Sequence, residues 1–397
     1  MNRMILFGGS FNPIHIGHLW MARAAMETLG AGEVLFMPTG DSPHKGSMLS
    51  ARHRGEMVRL ACADNEGFVF SDYEIRAPYP SYTIRTVDHL LQEDPERKIW
   101  LLIGDDSLLQ FHTWKEYETL LQKVTLAVVP RHHTMDTDTK EQIRLLREKG
   151  ASIHRIPMNR IELSSTWLRQ RARLGKTLQN YVPETVRRYI DRYALYEEEE
   201  LSEMLGKLKR SIGTRRYAHS LRVAETARDL AEIHGYDKEK ALFAGLLHDC
   251  AKGREDDYLK DPLVRKSFHE TDEPKPLWHT YIGPAVAKRF YGVDDADVLR
   301  AIVHHTTGHE TMKPLDKILY IADKTEPGRS DPANVELLAL AKTDLEEAFY
   351  RVMEASVGYL REKGQLVHPH TEKLFTQLQK ERQFDGKNKF DSQDASR

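Results

Sequence analysis

Two cysteines in 397 residues supply no disulfide framework. Cys62 and Cys250 each fall in an apolar helical pattern, the setting of a buried thiol in a reducing compartment, so a cytoplasmic location is expected. Long hydrophobic runs are missing too. No stretch approaches the roughly 18 apolar residues of a membrane span, and Met4-Ile5-Leu6-Phe7 is too short for the core of a signal peptide. An excess of charge is the third absence: Lys+Arg 58 against Asp+Glu 60 leaves a formal net charge of -2. Such a chain has no bulk attraction to nucleic acid or to an anionic membrane, and no basic aromatic stripe is present, so neither partner is expected. Any charge used on phosphates must be local.

What is present is ample apolar material, 40% of the residues. A single core rarely grows past about 250–300 residues, so more than one domain is implied. The chain has two grammars. From Met1 to about Tyr193, strand candidates at Met4–Phe7, Val34–Met37, Phe68–Ser71, Ile99–Ile103, Leu126–Val129 and Ser152–Ile156 alternate with amphipathic helical patterns. That alternation predicts right-handed βαβ crossovers, a mostly parallel sheet and an α/β, Rossmann-like fold over residues 1–196. The acidic run Glu197-Glu198-Glu199-Glu200 marks the boundary. Beyond it the period becomes 3.6 almost without interruption, which predicts an all-α domain over 201–370. Residues 380–397, polar and lysine-rich, are expected to be a frayed tail.

Directly after the first strand comes Gly8-Gly9-Ser10-Phe11-Asn12-Pro13-Ile14-His15-Ile16-Gly17-His18, with a helix beginning near Gly17. Glycines let backbone N–H groups approach a ligand, and the positive end of a helix attracts anions. His15 and His18 add donors at that end. The spacing is neither the dinucleotide-binding glycine pattern nor a Walker loop. It resembles the His-x-Gly-His signature of the nucleotidylyltransferases. The likeness continues through Pro38-Thr39-Gly40-Asp41-Ser42-Pro43-His44-Lys45, Ser81-Tyr82-Thr83, Gly104-Asp105-Asp106-Ser107 with Trp114, and Ile161-Glu162-Leu163-Ser164-Ser165-Thr166-Trp167-Leu168-Arg169. Together these are similar to the successive motifs of nicotinate-nucleotide adenylyltransferases.

That resemblance implies transfer of the adenylyl group of ATP, bound with Mg²⁺, to nicotinate mononucleotide, giving deamido-NAD and pyrophosphate in NAD biosynthesis. It implies a nucleotide cradle of Gly8, Gly9, Ser10, Phe11 and Gly104. His15 and His18 would then act on the α- and β-phosphates, and Ser165, Thr166 and Arg169 on the β- and γ-phosphates. It also gives Lys45 a phosphate, Asp106 a ribose, and Thr83 and Trp114 the pyridine acceptor. No protein nucleophile is needed, so catalysis is positioning plus charge stabilisation.

The second half holds polar residues in apolar helical patterns: His219, the pair His248-Asp249, His279, His305 and Asp323. A buried His-Asp pair without partners costs several kcal/mol, about the penalty of an unpaired buried charge, and a metal ion is the economical partner. In order these residues resemble HD-domain phosphohydrolases that hold two metals. His219, His248, Asp249 and Asp323 match the basic ligand positions, with Asp249 able to bridge. His279 and His305 match the extra pair. His305 is preferred over His304 because Thr306-Thr307-Gly308 follows it. The runs around His279, His305 and Asp323 are similar to the bacterial HD-type symmetrical bis(5'-nucleosyl)-tetraphosphatases. This implies cleavage of diadenosine tetraphosphate to two ADP at two iron ions, with Lys252 and Arg329 on the polyphosphate. The donor set by itself suits iron, manganese or zinc. Another nucleotide phosphatase or phosphodiesterase, and a non-catalytic nucleotide sensor, are the alternatives. Composition leaves the oligomeric state open, a homo-oligomer included.

Overall fold

The computed structural model describes residues 3–40, 48–78, 80–130, 137–159, 161, 163–268, 273–329 and 331–394, with side chains described to residue 382. The chain divides into two compact units, Met1–Ser202 and Glu203–Arg397.

In the first unit, β1 (Arg3–Gly9), β2 (Val34–Pro38), β3 (Phe68–Phe70), β4 (Lys98–Gly104), β5 (Val124–Val129) and β6 (Ser152–Arg155) form one sheet in the order β3-β2-β1-β4-β5-β6. Every pairing is parallel; Ile5, for instance, sits against Val34 on one side and Trp100 on the other. Each strand coincides with one of the six expected runs to within two residues at either end. Side chains alternate along a strand, so β1 serves two cores at once. Ile5 and Phe7 join Phe36, Ala127 and Val129 on one face, while Met4 and Leu6 join Leu35, Met37, Leu101 and Val128 on the other. Strand order reverses between β1 and its neighbours β2 and β4. Parallel sheets open a crevice beyond the carboxyl ends at such a point, here beside Gly8, Gly9 and Gly104.

The described residues of the second unit contain helices and no strand. The segment Glu199–Ile233 is broken at Gly213, whose backbone (φ 76, ψ 162) is not helical. Helices Lys238–Leu247, Trp278–Tyr291, Ala296–His304, Pro314–Thr325 and Leu345–Glu362 follow. Their starts are written locally: Asp237 accepts from the N–H groups of Glu239 and Lys240, and Asp295 from those of Asp297 and Val298. Leu246, Leu247, Val286, Ile302, Ile318, Ile321 and Phe349 are among its buried apolar residues. The helix Pro369–Asp394 takes in most of the polar segment 380–397. No helix among the described residues is long and apolar enough to cross a membrane.

Candidate active sites

At the end of β1, helix Ile16–Leu29 begins with His15 as its cap. The His15 N–H donates to His18 Nδ1 at 3.2 Å, and the two rings stack with centroids 3.7 Å apart. Accepting at Nδ1 leaves neutral His18 its Nε2–H as a donor. Gly17 allows this arrangement, since a Cβ there would lie 3.0 Å from His15 Nδ1. Phe11, held at φ 46, packs edge-on against Phe7 and His18. The result is a cavity of about 350 Å³ lined by Gly8, Gly9, Ser10, Phe11, His18, Thr39, Glu74, Ser81, Thr83, Gly104, Ser107 and Trp114.

The cavity therefore gathers most of the residues expected from the first half. His15 is buried behind His18 and does not line it. Ser165 and Arg169, in helix Ser165–Arg173, meet the turn before His15 instead, and Thr166 Oγ1 accepts from Arg169 Nη2 at 3.1 Å. Ser165 Oγ donates to the Pro13 carbonyl at 2.9 Å, and Arg169 Nη1 to the Asn12 carbonyl at 2.8 Å. Burial lowers the Arg169 pKa from its usual value. Asp106 is exposed beside Gly104, accepting from the Ser107 N–H, and is not a lining residue. Lys45 lies outside the described residues.

Two residues of this unit were not singled out from sequence. Arg54 is fully buried and donates to the carbonyls of Leu49, Ser10 and Gly40 at 2.8, 2.8 and 3.1 Å, tying β2 to the glycine turn. In sequence it sits in Arg52-His53-Arg54, which looks like a solvated helix face. Glu74 is a buried carboxyl on the cavity wall that accepts from Thr86 Oγ1 at 2.6 Å. Burial is the main cause of its raised pKa, which hydrogen bonds from Thr86 and Ser81 oppose.

The second unit brings all six expected ligands together. His248 and His305 are the residues immediately after helices Lys238–Leu247 and Ala296–His304, and His279 opens helix Trp278–Tyr291. Each donates its Nδ1–H to the carbonyl three residues back: Gly245 at 2.8 Å, Pro276 at 2.8 Å and Ile302 at 2.7 Å. That fixes the tautomer and turns each Nε2 lone pair toward the centre, where His305 Nε2 already accepts from Thr306 Oγ1 at 2.9 Å. Asp249 divides its oxygens. Oδ2 is 3.7 Å from His248 Nε2, while Oδ1 is 3.4 Å from His279 Nε2 and 3.6 Å from His305 Nε2. Asp323 Oδ1 lies 3.1 Å from His219 Nε2 and 3.9 Å from His248 Nε2. Two groups of donors thus share Asp249, the one with His219 and His248, the other with His279 and His305, each within 4.8 Å.

The donors fit divalent metal. The buried Nε2 atoms of His248 and His279 have no hydrogen-bond partner. Burial drives the pKa of His248 down to about 4 and that of His279 to about 3, so both are neutral ligands at physiological pH. Burial alone would raise the Asp249 pKa, yet it lies well below the usual carboxylate range, with the Lys252 ammonium 3.1 Å from Oδ1 among the groups that favour its charged form. Adjacent His304 takes no part: its Nδ1 meets Asp316 Oδ2 at 3.1 Å. Glu326, not singled out from sequence, stands behind His219, with its Oε1 3.1 Å from Nδ1. Lys324 was also missed; its ammonium donates to Asp323 Oδ2 at 3.0 Å. A cavity of about 670 Å³ in front of His219 and Asp249 is lined by Arg215, Arg216, Arg222, Lys252 and Arg329. Another, about 540 Å³, shares Arg329 but is walled by Leu337, Val352, Tyr359 and Leu360.

Comparison with known proteins agrees with both units. Residues 6–171 match the Cytidylyltransferase-like family and residues 216–328 the HD domain. A probable nicotinate-nucleotide adenylyltransferase of Symbiobacterium thermophilum is 41% identical over 202 residues, 49% of this chain and 96% of that protein. A Mycoplasma genitalium protein named probable nicotinate-nucleotide adenylyltransferase/Ap4A hydrolase is 29% identical over 87% of this chain and 95% of its own length. Among solved structures, a Clostridium acetobutylicum protein described as a predicted HD superfamily hydrolase involved in NAD metabolism shares 37% identity over 45% of this chain and 97% of that one, with a TM-score of 0.43. Spanning nearly the whole of the Symbiobacterium relative at that identity, this chain belongs to the nicotinate-nucleotide adenylyltransferase family and carries an HD domain after the adenylyltransferase unit.

Proposed function

We propose that the chain is a bifunctional enzyme of nucleotide metabolism. Residues 1–196 transfer the adenylyl group of ATP to nicotinate mononucleotide, and residues 201–370 cleave diadenosine tetraphosphate symmetrically to two ADP. The first activity rests on the cavity that places His18 and the glycine turn beside Thr83 and Trp114. The acceptor phosphate attacks the α-phosphorus of ATP, and pyrophosphate leaves. His18 donates its Nε2–H to the phosphate oxygens as charge shifts toward the leaving group, and the N-terminus of helix Ile16–Leu29 adds its dipole. Trp114 stacks on the pyridine ring. Arg169 and Ser165 fix the turn that carries His15, and Mg²⁺ comes with the triphosphate.

The second activity rests on the division of Asp249 between two donor groups. His219, His248, Asp249, His279, His305 and Asp323 would hold two divalent ions, iron in this reading, which would polarise the phosphoanhydride and lower the pKa of a water. Lys252, Arg329, Arg222 and Arg216 neutralise the polyphosphate in the basic cavity. Tyr359 and Leu360 offer a nucleoside the apolar one. The Mycoplasma protein's name combines the same two activities. Both cysteines are buried free thiols, which suits the cytoplasm.

The test is a double dissociation in the full chain. His18→Ala should cut pyrophosphate release from ATP plus nicotinate mononucleotide by about 100-fold or more while diadenosine tetraphosphate cleavage continues. Asp249→Asn should do the reverse. If either variant loses both activities while still folded, or neither, the division of labour fails. A nucleotide panel read for ADP separates the tetraphosphatase from other HD activities.

A further inference from the structure

Beyond the six HD ligands, the second unit holds another set of metal-type donors. His309 and Glu310 follow the His305 loop, and His370 sits at the start of helix Pro369–Asp394. One donor atom from each lies within 4.8 Å of the other two. His370 Nδ1 is 2.9 Å from Glu310 Oε2, and His309 Nε2 is 3.8 Å from the same oxygen. Ligand atoms about 2.1 Å from a tetrahedral zinc ion stand roughly 3.4 Å apart, so the two spacings straddle what a shared ion requires. His309 Nδ1 lies 2.8 Å from Thr311 Oγ1 and accepts from the Thr311 N–H at 3.1 Å, so an ion bound at Nε2 would move the ring proton to Nδ1, toward that hydroxyl. The three side chains are 32%, 26% and 40% exposed, partly open to solvent rather than sealed among the HD ligands.

We propose that His309, Glu310 and His370 form a third metal site, taking one zinc-like divalent transition ion with an open position for water. Two imidazoles and one carboxylate are a donor set that such ions accept. The exposed Lys373 ammonium, 3.9 Å away, approaches the other oxygen, Oε1, and leaves Oε2 to the ion. The site joins elements far apart in sequence. Thr371 Oγ1 already donates to the Thr307 carbonyl at 2.6 Å, so a bound ion adds a second tie between the loop after His305 and this helix.

The experiment uses the full, tag-free chain with its HD metals in place. It is equilibrated with a several-fold molar excess of Zn²⁺ and desalted, then analysed for total metal per chain and for melting temperature. Wild type should hold one equivalent more than His370→Gln and than Glu310→Gln. Zn²⁺ should raise its melting temperature, and that rise should vanish in both variants. Replacing exposed His112 with Gln should change nothing. The proposal is overturned if wild type gains no equivalent, if both variants keep it, or if the His112 variant loses it. Circular dichroism of the zinc-free proteins separates lost binding from lost fold.

Discussion

A carboxyl group on the wall of a pocket meant for a carboxylate acceptor carries a cost, and burial of Glu74 shows it in a raised pKa. Its folded pKa is raised, so the fold prefers the neutral acid. Ionisation therefore costs stability above that pKa, and the cost is absent below the ordinary value of 4.5. Glu74→Gln keeps an acceptor for Thr86 and cannot ionise. It should melt above wild type at pH 8, the difference closing as pH falls toward 4.5, and it should bind the anionic acceptor more tightly. Equal melting at every pH would refute this. Residues of this kind explain what the sequence hid. The histidines were legible because imidazoles interrupting apolar helices have few other uses. Arg54, Glu74, Lys324 and Glu326 were not, because a buried ion and a solvated one are written with the same letter. Only the fold shows that Arg54 faces three carbonyls.

At the scale of elements, the strands were readable because their apolar runs are short, β-rich and bounded by turns. The polar end of helix Pro369–Asp394 was not, because its composition suits both coil and helix. Close helix contacts were equally invisible. A Cβ at Gly245 would lie 2.4 Å from Ala224 Cα and 2.7 Å from its nitrogen, backbone atoms that cannot swing aside. Helix Lys238–Leu247 must therefore shift before Gly245→Ala can be accommodated, and His248 shifts with it. The expected cost is about 1–3 kcal/mol. Metal content and hydrolysis should fall while adenylyl transfer persists. A variant with full metal occupancy and unchanged melting would show that the contact is not needed.

For the whole molecule, two units with separate cores imply two unfolding events. Metal stabilises only the state that assembles its ligands, and those ligands belong to the second unit. Chelation should therefore lower one calorimetric transition and leave the other in place, with the surviving transition responding to ATP and nicotinate mononucleotide. A single transition that shifts as a whole would contradict this. One further consequence concerns the substrate rather than the chain. The two cavities that share Arg329 are unlike, one crowded with guanidinium groups and one walled by leucine, valine and tyrosine. A dinucleotide with identical ends that filled both would lose its twofold equivalence on binding, so its two chemically identical halves would meet different surroundings.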